Sequence, residues 1–255
     1  MEHGTTERKV IKTASVAMAV CNGERYLPQQ LDSILGQLGD SDELVISYDK
    51  SQDATLDIAR SYASIDDRVR IVSNCRHGIV GNFNNAIAAC SKDSVFISDQ
   101  DDVWIDGKRD RMIAALNESG ADLVVHDMVH IDKEGRIVSA PLFKEYNIQK
   151  GLIRNFAAPR YSGCCMAFPL ETYRLIMPMP ESVVNYDHWI GMCCELFGDV
   201  AFLDDVLLMH RLHGANATTA RRPLSVIAIQ RINLLIELIK KARLLSSKSI
   251  GEERK

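Results

Sequence analysis

The chain has 255 residues, 46% of them hydrophobic and 25% charged, which is ordinary for a folded protein and long enough for one large domain or two small ones. Its net charge of −4 argues against a nucleic-acid binder, which is usually basic. The seven cysteines include no CxxC spacing, which argues against a zinc site and fits buried, reduced thiols in a cytosolic protein.

Met1 to Thr13 is polar and lacks the apolar core of a secretion signal. No stretch reaches the roughly 18 apolar residues needed to span a bilayer. Ser15–Val20 is small and apolar and predicts a first strand. Residues 24–38 follow with Leu27, Leu31, Ile34, Leu35 and Leu38 on one helical face. Glu43–Tyr48 predicts a second strand, Ser51, Gln52 and Asp53 offer caps, and a helix is expected over about 54–63. Val69–Ser73 reads as a third strand, and Gly78 and Gly81 open a helix through Cys90. Asn82, Asn84 and Asn85 in that helix read as capping residues or as contacts to a bound sugar.

Ser94–Ser98 is a short apolar strand that runs into Asp99, Gln100, Asp101 and Asp102. Clustered carboxylates repel and resist ionising together. A hard divalent cation relieves that repulsion. Open α/β sheets bind ligands outside the C-terminal ends of their strands, so a metal site is expected here. The competing reading is an acidic loop that caps the next helix. Arg76 and Lys108 read as solvated surface charges.

Leu123–Met128 predicts another strand, with His126 and Asp127 at its end as an acceptor-side pair or a buried polar pair. Residues 130–160 read as loop-rich, Cys164–Phe168 as a strand, 187–197 as a helix and 200–209 as strand, turn, strand. Leu224 to Leu245 is apolar at helical spacing, with Arg231, Lys240, Lys241 and Arg243 interspersed. That helix either packs on a domain or second subunit, or lies as a basic amphipathic helix on a membrane surface. The β–α alternation predicts an α/β fold with a mostly parallel sheet flanked by helices and a C-terminal helical extension. The expected division is a domain over 1–220 and an extension over 221–255. Neither a GxGxxG nor a Walker-type phosphate loop is present.

Three blocks in order carry a family resemblance: Val20 to Leu27, Ser47 to Thr55 and Phe96 to Trp104. Together they resemble GT-A glycosyltransferases of family 2, and the Asp99-Gln100-Asp101-Asp102-Val103-Trp104 version resembles bacterial rhamnosyltransferases of surface polysaccharide synthesis. The resemblance covers about residues 14–216. It implies a GT-A fold and an inverting, Mg2+- or Mn2+-dependent transfer from a nucleotide sugar. The donor would be a dTDP- or UDP-sugar and the acceptor a lipid-linked glycan. The place implied is the cytoplasm, with peripheral attachment to the inner face of the plasma membrane. Ala19, Cys21, Asn22, Glu24, Asp49, Asn82, Asp99, Gln100 and Asp101 would bind the nucleotide sugar. Asp99, Asp101, Asp102 and His213 would hold the metal.

Asp187, in Asn185-Tyr186-Asp187-His188-Trp189, matches the segment carrying the catalytic base, although a helix cap is its simpler reading. Arg211, in the block His210 to Asn216, would steady the leaving group. Gly163, Cys164 and Trp189 would face the acceptor. Tyr48 and Lys50 depart from the family's second block, where Asp and Gly are common, and this leaves the base unidentified. A non-catalytic nucleotide-sugar-binding scaffold is the competing class. A nucleotidyltransferase fits poorly, because Asn22-Gly23-Glu24-Arg25 is not a Gly-rich phosphate loop.

Overall fold

The computed structural model describes residues 9–76, 78–213 and 223–252. The first half alternates strand and helix: β1 (Ala14–Val20), α1 (Leu27–Leu35), β2 (Glu43–Tyr48), α2 (Thr55–Ala63), β3 (Val69–Ser73), α3 (Gly78–Ala88) and β4 (Ser94–Ser98). Then come β5 (Val103–Trp104), α4 (Lys108–Ser119), β6 (Leu123–Ile131), and two short helices, α5 (Leu142–Tyr146) and α6 (Leu152–Ala157). The chain continues through β7 (Met166–Pro169), α7 (Tyr173–Ile176), α8 (Tyr186–Phe197) and β8 (Val200–Arg211) to α9 (Leu224–Glu252).

The strands form one eight-stranded sheet in the order β3-β2-β1-β4-β7-β6-β8-β5. β3, β2, β1 and β4 run parallel. β7 is antiparallel to both β4 and β6, and β6 pairs parallel with β8. β1 and β4 are buried almost throughout, as expected of parallel strands covered on both faces. The apolar stripe of α1 buries Leu27, Leu31 and Ile34 against the sheet, and a proline at its start suits a first helical turn. Crossover connections return each parallel strand in one direction, so the ends of β1, β2 and β4 share one edge.

Three features differ from the sequence expectation. Residues 200–211 are one continuous strand, and the polar Asp204-Asp205 pair sits in a bulge where β6 and β8 slip register. Gly163–Cys165 forms a 3-10 turn, so the expected strand begins only at Met166. Helix α4 was not expected, because its buried stripe is only Met112, Ile113 and Leu116 among charged residues. Its first residue, Lys108, is wholly buried rather than a surface charge, and its ammonium donates to the Cys164 carbonyl (2.8 Å).

Candidate active site at the C-terminal sheet edge

A cavity of about 590 Å3 opens where β1, β2 and β4 end. Ala19, Cys21 and Asp49 line one side, and Asn82 and Phe83 of α3 another. Asp99, Gln100 and Asp101 form the floor, and Gly163, Cys164, Tyr186, Asp187 and His210 close the far wall. Candidate donor, metal and base residues from five separate segments therefore meet in one cavity. A cavity of about 510 Å3 lies at the opposite edge of the sheet. There Asp93 accepts from Lys9 and Thr13, and the Asn117 amide pairs with Ile11.

The acidic loop is layered. Asp102 is fully buried, its Oδ1 accepts the Arg211 backbone N–H (3.0 Å), and His210 Nδ1 lies 2.8 Å away. Burial opposes ionisation of both partners, but their mutual attraction wins. Asp102 is held below the usual carboxylate range and His210 is pushed up to about 12. Nearer the cavity, burial and the charges of Asp102 and Asp101 push Asp99 up to about 8. Burial and Asp102 also raise Asp101, opposed by His213, whose Nε2 lies 2.7 Å from Asp101 Oδ2.

Asp99, Asp101 and His213 offer donor types that suit a divalent cation, and the contact among them is His213 Nε2 to Asp101 Oδ2. Asp102, Cys164 and His210 form a second group with ligand chemistry, their atoms within 4.8 Å of one another. Asp102 pairs with His210 and does not line the cavity, whereas Asp99 and Asp101 do; as a member of the converging group it stays a candidate ligand, as expected.

A metal bound at Asp99 would compete with the proton that burial and the neighbouring carboxylates favour there. We expect metal affinity to rise between pH 6.5 and 8.5, with a slope approaching tenfold per unit below the Asp99 pKa. Titrations in buffers of different ionisation enthalpy should detect proton release at pH 7. A pH-independent affinity with no release would remove Asp99 from the ligand set.

Gln100 ties this loop to β1. Its amide accepts from the Cys21 N–H (2.8 Å) and donates to the Cys21 carbonyl (2.9 Å), as a paired strand would. Gly23 makes room for it, since a Cβ there would lie 2.4 Å from Gln100 Oε1. Asn82 donates weakly to the Val20 carbonyl (3.3 Å), and its buried Oδ1 has no hydrogen-bond partner among the described residues. An N–H or O–H of a bound ligand would satisfy that oxygen. The Tyr48 hydroxyl accepts the Ser51 N–H and so shapes the loop beside Asp49.

Several expected contacts lie elsewhere. Asn22 Oδ1 accepts the Gln52 N–H, and Glu24 Oε2 accepts the Ala54 N–H at the start of α2. These two residues join neighbouring loops and do not line the cavity. Arg211 is buried under Tyr26, 4.6 Å from its ring, and donates to the Asp101 and Asp132 carbonyls and to Gln29. It braces the backbone of the acidic loop instead of facing a leaving group. Trp189 is core: its indole N–H donates to the Ile176 carbonyl and it does not reach the cavity. His126 is buried with Nδ1 2.7 Å from the Asp127 carbonyl and Nε2 without a partner among the described residues, and Asp127 accepts the Leu142 and Phe143 N–H groups at the start of α5. Residues 214–216 of the last block lie outside the described residues.

Tyr186 was missed by sequence reasoning, because an aromatic at a helix start reads as core. Its buried hydroxyl donates to Asp99 (3.2 Å) and its ring lies 3.9 Å from that of Phe83. Asp187, next in the chain, is half-buried in the first turn of α8, and its Oδ1 accepts the His188 N–H (2.7 Å). Tyr186 therefore links the segment of Asp187 to the acidic loop. Gly163 accommodates it, since a Cβ at Gly163 would sit 2.2 Å from the Tyr186 ring. The glycine serves that ring and not only an incoming acceptor. Gly163→Ala is expected to cost about 1–3 kcal/mol of overpacking, read in thermal unfolding. Unchanged stability would show that the ring moves freely.

Residues 15–174 match the family model described as glycosyl transferase family 2. The chain is 27% identical over 214 residues to an uncharacterized glycosyltransferase of Nostoc sp., covering 79% of this chain and 65% of that one. It is 23% identical over 209 residues to glycosyltransferase GlyG of Streptococcus pneumoniae, covering 78% and 64% respectively. This chain thus spans just under two thirds of these relatives' length. Among solved structures, S. aureus TarS in complex with UDP-GlcNAc superposes with a TM-score of 0.67 at 18% identity, over 91% of this chain and 72% of that one.

Proposed function

The chain belongs to glycosyl transferase family 2, and from that premise we propose an inverting, metal-dependent transfer of a sugar from a nucleoside diphosphate to a glycan hydroxyl. The observation that carries this reading is the meeting of Asp99, Asp101 and Asp187 in one cavity at the strand ends. Asp49 and the Asn82 Oδ1 would read donor N–H or O–H groups. Asp99 and Asp101, with His213, would hold the magnesium or manganese. That ion, when bound, neutralises diphosphate charge as the leaving group departs.

Asp187 takes the proton from the acceptor hydroxyl as its oxygen attacks the anomeric carbon, in one displacement with no covalent enzyme intermediate. His210 lies on the same wall, paired with the buried Asp102 behind the other acids. Tyr186 positions the start of α8 against the donor-side carboxylate. Rhamnose is the sugar we propose to test first, from dTDP-rhamnose, with a lipid-linked surface glycan as acceptor. The implied setting is the inner face of the plasma membrane.

A panel of dTDP- and UDP-sugars with manganese tests the proposal by release of nucleoside diphosphate. Release with one donor, stimulated by a glycan acceptor, is expected. Binding without turnover for every donor and acceptor tried would favour the scaffold reading instead.

A further inference from the structure

Helix α9 has a buried inner stripe and an outer side on which exposed aliphatic side chains are interspersed with Lys240, Arg243 and small polar residues. Its inner stripe buries Leu234, Leu238 and Lys241, whose ammonium donates to the Met177 carbonyl (2.8 Å). Its outer side carries Ile229, Ile232, Leu235, Ile236, Ile239 and Leu244, each 45–58% exposed. At 100° per residue, the arc from Leu235 round to Leu244 spans about 180°. A single partner helix covers only a narrow seam, whereas a bilayer surface accepts a face this wide.

The charges point the same way. Over residues 224–247 the exposed charged side chains are the cations Lys240 and Arg243. The one acid of that stretch, Glu237, is mostly covered, accepting from Ser182 and from Lys240. With Lys240 paired to Glu237, the outer face presents apolar side chains and the positive charge of Arg243, which complements anionic lipid headgroups. Among the described residues no helix is long and apolar enough to cross a membrane, so the helix would lie along the surface.

We propose that the outer face of α9 docks this protein on the surface of an anionic lipid bilayer. The inner side of the helix meets the site: Arg231 and Leu234 share a cleft with Val184 and Asn185, which also line the cavity ahead of Asp187. Docking would hold that wall of the cavity close to the membrane. Only this consequence, delivery of a lipid-linked acceptor to Asp187, rests on the proposed function.

The test is flotation of the full chain, without nucleotide, on phosphatidylglycerol–phosphatidylethanolamine vesicles and on phosphatidylcholine vesicles. The chain is expected to float with the anionic vesicles and to be released by salt. Ile232→Glu with Ile236→Glu should lower the bound-to-free ratio by more than roughly tenfold. Arg243→Glu should lower it less. Both sites are exposed, and unchanged nucleotide binding by the double variant would show that it is folded. A chain that stays free of both vesicles overturns the proposal, as does flotation unaffected by the double substitution or equal on both lipids. A dimer that the double variant splits, without vesicle binding, also overturns it and assigns the face to a second copy. Flotation with failed nucleotide binding would sink the proposed function and leave the docking intact.

Discussion

Asp187→Asn is expected to leave nucleotide-sugar binding within about twofold while lowering turnover by roughly 100- to 10,000-fold, the contribution of a positioned general base. The amide keeps the size of the carboxylate and can still accept the His188 N–H, so the fold of α8 should survive. It cannot take a proton from an acceptor hydroxyl. Donor KM and turnover distinguish the roles: a helix cap alone would cost stability, with turnover largely kept. If Asp187→Asn turns over normally, the base lies elsewhere in the cavity.

The second large effect is expected from Asp101→Ala. Asp101 is the carboxylate contacted by His213, and its backbone carbonyl is braced by Arg211. Losing the side chain would remove one proposed ligand and the carboxylate that the His213 imidazole contacts. Disturbing even an outer partner of a metal site costs on the order of 10- to 100-fold in metal affinity, so a direct ligand should cost at least that. Metal-dependent binding of the nucleoside diphosphate should fall in step, while the metal-independent remainder should not change. Equal losses with and without metal would mean that Asp101 shapes the loop and does not ligate. Asp102→Ala is a contrasting variant: it strips His210 of its counter-ion inside the protein and should first lower stability.

The donor half of this site was legible in the sequence because it follows strand order. Apolar runs ending in Asp49 and in Asp99 to Asp102 mark parallel strands whose tips share an edge, and the structure puts them there. Asp187 was legible through the block Asn185 to Trp189 that resembles the family, and the structure places it in the first turn of α8 on the cavity wall. The division of labour within the acidic run was not. Asp101 and Asp102 are neighbours in sequence, yet one faces the cavity and the other is buried against His210. That difference depends on β8 and its register with β6, set by a bulge at His126 and Asp127 that no local pattern reveals.

Arg211 and Lys108 show the same limit. Both read as cations available to a phosphate or to solvent, and both are buried because long-range carbonyls accept from them. Tyr186 carried a signal that could have been used: a hydroxyl-bearing aromatic beside a candidate base, with a glycine at Gly163 to receive it. That pairing spans 23 positions and becomes visible only once α8 and the turn at Gly163 are packed together.

The most direct test of a metal-dependent donor site is titration of the wild-type chain with dTDP and with UDP, each with and without manganese, and with the matching nucleosides as controls. At least one diphosphate should bind far more tightly with manganese, while nucleoside binding should not respond to it. Diphosphate binding that ignores manganese, or no binding of either nucleotide, would contradict the assignment of Asp99 and Asp101 to a donor-bound metal.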